Sequence, residues 1–260
     1  MTRDVASEVK VTRHGHVGVV EIDRPPVNFF DVSLVDTVLQ RMQALDADPD
    51  CRAIVLAAAG KVFCAGADFG DGTFDADEAI DMARQLYGNA IRLFELGTPI
   101  IGAIQGPAIG GGMGLALTAD FRITSEAARF SANFSQLGMH CGFGISATLP
   151  RLVGHNAAAM MLYTGRRLKG TEAVEIGLAD RLVASGDERS AALALAQEIA
   201  AAAPLAVQDM RRTLRRGLAQ EVRAALAHEL DLQRGHMETQ DFREGIRSVA
   251  ERRTPHFTGS

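Results

Sequence analysis

The chain of 260 residues is 47% apolar and 23% charged, enough for one sizeable core and ordinary for a globular protein. A net charge of −5 gives no electrostatic footprint for nucleic acid. No run approaches the ~18 apolar residues of a spanning helix, and three scattered cysteines, Cys51, Cys64 and Cys141, predict reduced thiols and a cytoplasmic setting.

In chain order, Met1–Gly18 carries no apolar core of a signal peptide. VGVVEID (Val17–Asp23) predicts a strand, ended by RPPVN. Ser33 predicts a helix N-cap, paired with Asp36. Leu34, Val35, Val38, Leu39, Met42 and Leu45 follow at helical spacing. RAIVLAAAG (Arg52–Gly60) predicts a buried strand that runs into the loop GKVFCAGADFGDGTF, and Asp77–Leu96 an acidic amphipathic helix. TPIIGAIQG is a second buried strand, GGMGLALTAD a helix start and FRITS a further strand. This alternation is the pattern of an α/β domain, whose ligands sit where strands pass into helices. From about Val183 the chain reads as helical, broken at Pro204, with alanine-rich faces that the core or another subunit must cover. The expected division is a core over 1–183 and a C-terminal helical region over 184–260. The basic run Arg211–Arg223 reads as a solvated face, or as a contact with an anionic ligand or a neighbouring subunit. The tail, Thr254–Ser260, predicts irregular structure.

Two glycine-rich loops concentrate the chemistry. In GPAIGGGMG (Gly106–Gly114) the phosphate-loop ending Gly-Lys-Ser/Thr is missing. Leu115 stands where a dinucleotide fingerprint needs its last glycine, and no nucleophile elbow is present. The glycines then mark either a tightly packed turn or a close approach to the backbone. GKVFCAGADFG is a second strand-to-helix passage of small residues. Two such loops can each aim one backbone N–H at a single point, which is an oxyanion hole.

GKVFCAGAD followed by GPAIGGGMGLALTAD resembles the crotonase superfamily, the enoyl-CoA hydratase/isomerase group. So do RPPVN, LGMHCGFGISATLPRLVG, LYTGRRLKGTEAVEIGLADRLV (Leu162–Val183) and the ending FREGIRS…PHFTG. The resemblance implies an α/β fold, a spiral of ββα units with a C-terminal helical trimerisation region. It implies a homotrimer or dimer of trimers and an acyl-CoA thioester as substrate. No cofactor beyond the substrate's coenzyme A, no metal, no nucleic acid and no membrane partner is implied. The N–H groups of Ala67 and Gly111 would hold the thioester oxygen. Arg24, Pro26 and Val27 would border the adenosine end. Ala65, Ala67, Asp68 and Phe69 would line the adenine and pantetheine path, with a helix cap as the alternative for Asp68. Phe257 and the basic C-terminal helices would reach a neighbour's CoA.

The chain departs from that pattern at the acids. Hydratases of the group use two glutamates, and the matching positions here are Gly114 and Phe134. A third acid position, used in other branches, is Gly142. Each positioned acid or base contributes about 10²–10⁴-fold, so efficient hydration is not expected. Gly114 and Phe134 predict an apolar, roomy site suited to a large acyl group or a ring. His140 is a candidate general acid or base, or a ring bonded to a backbone carbonyl at the pocket wall. Cys141 is a candidate nucleophile or a packed thiol. Asp71, Asp75, Asp77, Asp81 and Tyr87 are other sources of a carboxylate or hydroxyl. His14, His16, His155, His228, His236 and His256 are expected outside the pocket. Decarboxylation, isomerisation and C–C cleavage stay open as reactions. Non-catalytic acyl-CoA binding or sensing is the alternative, and hydrolysis of a cyclic diketone a third reading.

Overall fold

The structure, a computed structural model, describes residues 5–68 and 76–260. Its main sheet has six strands in the order β1 (Val9–His14), β2 (Val17–Ile22), β3 (Ala53–Ala58), β4 (Ile100–Ile104), β6 (Phe121–Ser125) and β9 (Arg181–Val183). Only β1 and β2 pair antiparallel; the other neighbours are parallel. A second sheet of three short strands, β5 (Pro107–Ile109), β7 (Arg129–Ser131) and β8 (Leu168–Lys169), stands beside it. The helices among the described residues are α1 (Val32–Asp46), α2 (Ala76–Glu95), α3 (Gly111–Ala116), α4 (Ile145–Thr164) and α5 (Gly170–Glu175), then α6 (Glu188–Ala200), α7 (Pro204–Leu214), α8 (Leu218–Met237) and α9 (Gln240–Ala250). No single described helix is long and apolar enough to cross a membrane.

The apolar strands are apolar throughout because both faces of the sheet are covered. Alternate residues divide between two clusters. Val20, Ile22, Ile54, Leu56, Ile100 and Ile104 pack with α1 and α2. Val17, Val19, Ala53, Val55, Ile101 and Ala103 face α6, which meets them with Ala192, Ala196 and Ala200. The four-residue spacing of those alanines forms one helix stripe without bulk, so α6 lies close on the sheet. The chain after residue 183 therefore contributes a layer of the core. Further on, α8 packs against α2 and α4. On α7, Leu205, Met210 and Leu214 are left exposed.

Two details differ from the sequence reading. The cap of α1 is Asp31, not Ser33: the Asp31 carboxylate accepts the Leu34 N–H at 2.8 Å, and the Ser33 hydroxyl donates to the same oxygen at 2.6 Å. Asp31 holds the extended backbone that a cap needs, while Ser33 is already inside the first turn. Strand β1 was not anticipated, because five of its six residues are exposed and its apolar alternation, Val9 and Val11, stops after two residues.

Asp120 joins the C-terminal helices to the sheet. It accepts the Ile100 N–H at 2.8 Å, Arg211 Nε at 2.8 Å and an Arg215 guanidinium N–H at 2.6 Å. Burial pushes its pKa up, but the two arginines more than offset this and hold it below the ordinary carboxylate value of 3.8. A depressed pKa contributes stability above the unfolded value and loses it as pH falls through the folded one. Asp120→Asn is expected to lower stability by about 1–3 kcal/mol at neutral pH. Urea unfolding at pH 7 and near pH 3.5 checks this, and the gap to wild type should shrink at the lower pH.

Candidate active site

The two loops are fastened by backbone contacts that the sequence alone does not show. Asn28, at φ 53°, accepts the Arg24 N–H through its side-chain oxygen and donates to the carbonyls of Ala59 (2.9 Å) and Val62 (2.7 Å). It clamps the RPPVN turn onto the exit of β3. Ala65 N–H then donates to Val27 C=O at 3.1 Å, and Phe30 N–H to Gly66 C=O at 3.0 Å. On the other side, Cys64 bridges Ala108: Cys64 N–H donates to Pro107 C=O and Ile109 N–H to Cys64 C=O, both at 3.0 Å. Three residues beyond each partner of that bridge stand Ala67 and Gly111.

The glycines are there because the two backbones touch. A Cβ on Gly112 would stand 2.2 Å from the Cys64 carbonyl oxygen, and one on Gly66 (φ 81°) 2.8 Å from the Ile109 carbonyl oxygen and 3.5 Å from the Gly111 nitrogen. Among the described residues, the N–H groups of Ala67 and Gly111 have no hydrogen-bond partner. The Phe30 bridge consumes the Gly66 carbonyl and not the Ala67 N–H, and the Gly111 N–H belongs to the first turn of α3, which has no intrahelical acceptor. Two unpaired donors on touching loops are a place for an oxygen that carries negative charge.

Ala67 opens onto a cavity of about 280 Å³ lined by Arg24, Pro26, Phe30, Asp31, Asp68 and their neighbours. Arg24 is only 5% exposed and is ion-paired with both Glu8 and Asp31. Its charge is therefore already balanced inside the protein. Val27 and Ala65 bond to each other and are not part of the lining. Asp68 is exposed and stands outside any helix, while Phe69 lies outside the described residues.

A second cavity, about 320 Å³, is lined by Phe134, Met139, His140, Cys141, Leu162, His236 and others, and shares no residue with the first. Phe134 stands between this cavity and the glycine loop, its ring tip 3.9 Å from where a Cβ would sit on Gly110. His140 does bond a backbone carbonyl: its Nδ1 meets the Cys141 C=O at 2.8 Å. His236, expected elsewhere, is here too, its Nδ1 accepting the His140 main-chain N–H at 3.2 Å. Burial pushes the Cys141 thiol up, and takes Cys64 to about 12, so neither is a thiolate at neutral pH. Among the described residues no three His, Cys, Asp or Glu side chains are grouped to hold a metal.

The space beside Gly114 is filled, contrary to the roomy site expected. A Cβ there would stand 2.7 Å from Cβ of Phe143, a buried residue at φ 60°. At Gly142 a Cβ would stand 1.8 Å from the Tyr87 hydroxyl. That hydroxyl donates to Gln233 Oε1 at 2.7 Å, and Gln233 Nε2 donates to the His140 C=O at 2.9 Å. Asp81 pairs with Arg84 at the surface, while Asp71, Asp75 and the Asp77 side chain lie outside the described residues. Sequence reasoning missed Phe143, Gln233 and Glu229. Glu229, fully buried on α8, accepts the Gly144 N–H at 2.8 Å, the Ser146 N–H at 3.0 Å and the Ser146 hydroxyl at 2.5 Å. It fixes the loop that carries Gly142 and Phe143.

Comparison with known proteins gives the family of the chain. The sequence model of the enoyl-CoA hydratase/isomerase family matches residues 12–260. The mouse (Mus musculus) enoyl-CoA hydratase domain-containing protein 2, mitochondrial, is 34% identical, with 99% of this chain and 90% of that one covered. The enoyl-CoA hydratase EchA19 of Mycobacterium tuberculosis is 30% identical, with 98% of each chain covered. The crystal structure of an enoyl-CoA hydratase/isomerase from Pseudoalteromonas atlantica superposes with a TM-score of 0.86 at 27% identity, over 96% of this chain and 100% of that one. With this family match over nearly its whole length, the chain belongs to the enoyl-CoA hydratase/isomerase family, within the crotonase superfamily.

Proposed function

We propose that the protein acts on an acyl-CoA thioester whose carbonyl oxygen is taken by the N–H groups of Ala67 and Gly111, so that an enolate forms against two fixed donors. The observation that carries this reading is the pair of unpaired N–H groups on loops whose backbones touch. The cavity beside Arg24, Pro26 and Asp68 takes the CoA portion. Positions 114, 134 and 142 hold no carboxylate, so hydration by paired glutamates is not the reaction. Decarboxylation fits best. The electron pair of the breaking C–C bond passes into the enolate, carbon dioxide leaves, and a proton from water closes the α-carbon. Isomerisation and C–C cleavage would draw on the same enolate. We also propose a homotrimer or dimer of trimers, in which subunit contacts would cover Leu205, Met210 and Leu214 of α7.

A second reading, non-catalytic acyl-CoA binding, is favoured by one observation: the places beside Gly114 and Gly142 are filled by Phe143 and Tyr87. A panel of enoyl, malonyl-type and aromatic CoA thioesters, followed by mass spectrometry, separates the two. Loss of carbon dioxide from a malonyl-type thioester is the expected result. Tight binding without turnover across the panel supports the second reading, and rapid hydration of crotonyl-CoA overturns the account of the missing carboxylates.

A further inference from the structure

We propose that the second cavity takes the distal part of the acyl group, and that His140 and His236 together select an acyl chain or ring that bears a hydroxyl. This rests on the acyl-CoA reading above and adds a substrate class to it.

Each Nδ1 meets a main-chain group whose role in a hydrogen bond is fixed. A carbonyl oxygen can only accept, so the 2.8 Å contact to the Cys141 C=O places a proton on Nδ1 of His140. A main-chain N–H can only donate, so the 3.2 Å contact from His140 N–H leaves Nδ1 of His236 bare. In the neutral rings the remaining nitrogens are then opposite in kind. Nε2 of His140 is a lone-pair acceptor and Nε2 of His236 carries the hydrogen. Both residues line the cavity, and with both Nδ1 atoms taken by neighbouring groups, Nε2 is the atom each ring has left for a ligand. Burial and the neighbouring His140 lower the pKa of His236, which favours the neutral, singly protonated ring.

A hydroxyl placed between the two rings would satisfy both atoms, because it donates one hydrogen bond and accepts another. An unsubstituted alkyl or phenyl group would strip water from both nitrogens and return nothing. A carboxylate would need two donors and so a second proton on His140. Phe134, Met139, Cys141 and Leu162 make the rest of the lining apolar, suited to the carbon body of such a group. The two histidines lie far apart in sequence, on the loop before α4 and at the end of α8, so only the fold brings them together.

Titration calorimetry with matched thioesters tests this: phenylacetyl-CoA against para-hydroxyphenylacetyl-CoA, and octanoyl-CoA against omega-hydroxyoctanoyl-CoA. At least one hydroxylated member is expected to bind about tenfold or more tightly than its partner. His236→Asn keeps an acceptor for the His140 N–H but removes the Nε2 donor, and should bring that ratio close to one. His236→Gln places an amide donor near the Nε2 position and should restore part of it. Thermal unfolding of both variants verifies that they are folded. Equal affinity within both pairs for the wild-type protein, or a ratio untouched in His236→Asn, overturns the inference and leaves the acyl-CoA reading standing. If no CoA thioester binds at all, the acyl-CoA reading has itself failed, and this inference with it.

Discussion

In a Phe30→Ala background, Gly111→Pro is expected to lower turnover of the accepted thioester by about 10²–10³-fold while the CoA portion still binds. Proline removes the one atom in question, the N–H proposed to face the thioester oxygen. Gly111 is the first residue of α3, where proline is the best-tolerated substitution, because the first-turn N–H has no intrahelical acceptor. Gly110 before it sits at φ 54°, ψ −123°, the mirror image of the extended backbone that proline requires of its predecessor. The obstacle is a side chain: a Cβ at position 111 would stand 2.1 Å from the ring tip of Phe30. Truncating Phe30 in both proteins removes that clash, and the comparison then isolates the donor. Equal kcat values, with both proteins folded by thermal unfolding, would mean that the Gly111 N–H does not touch the reacting oxygen.

The same pair of residues shows what a sequence can and cannot say. The glycines of GPAIGGGMG are visible in the chain, and their meaning as a close approach can be reasoned from chemistry. What approaches cannot. Gly112 is held by the Cys64 carbonyl, Gly111 by Phe30 and Gly114 by Phe143, all from distant segments. The strands of the main sheet were legible where both faces are buried, since an uninterrupted apolar run is itself the signal. The strands of the second sheet, two or three residues each, were not, since so short a segment has no periodicity to read. Cys141 and His140 were singled out because the family resemblance puts their segment, LGMHCGFG, along the acyl pocket. His236 was set aside because nothing in a helix-forming stretch announces that its end returns to that loop. The roomy site expected at Gly114 failed for a related reason. A missing side chain predicts space only if no neighbour uses it, and Phe143 does.

Phe143 keeps its place through Glu229, whose removal carries the largest expected stability effect. Glu229→Ala is expected to cost about 3–5 kcal/mol, since it strands two main-chain N–H groups and a hydroxyl in the interior. Those N–H groups belong to Gly144 and Ser146 at the start of α4, so the loss falls on the loop that packs Phe143 behind Gly114 and Gly142 against Tyr87. Glu229→Gln keeps the shape and one acceptor oxygen and should cost less. Wild type and Glu229→Gln also differ in their response to pH. Burial raises the Glu229 pKa above the ordinary 4.5, although the donors from Ser146 and Gly144 pull it down. A raised pKa gives stability that is complete below the unfolded value and is lost as pH climbs through the folded one, because the unfolded chain gives up its proton first. Glutamine has no proton to lose. Measured by urea unfolding from about pH 4.5 upward, the advantage of wild type over Glu229→Gln should therefore shrink with rising pH. A gap that widens instead would show that the three donors outweigh burial and that Glu229 is held ionised. An alanine variant as stable as wild type would mean that the loop keeps its conformation without the carboxylate, and that Phe143 is fixed by packing alone.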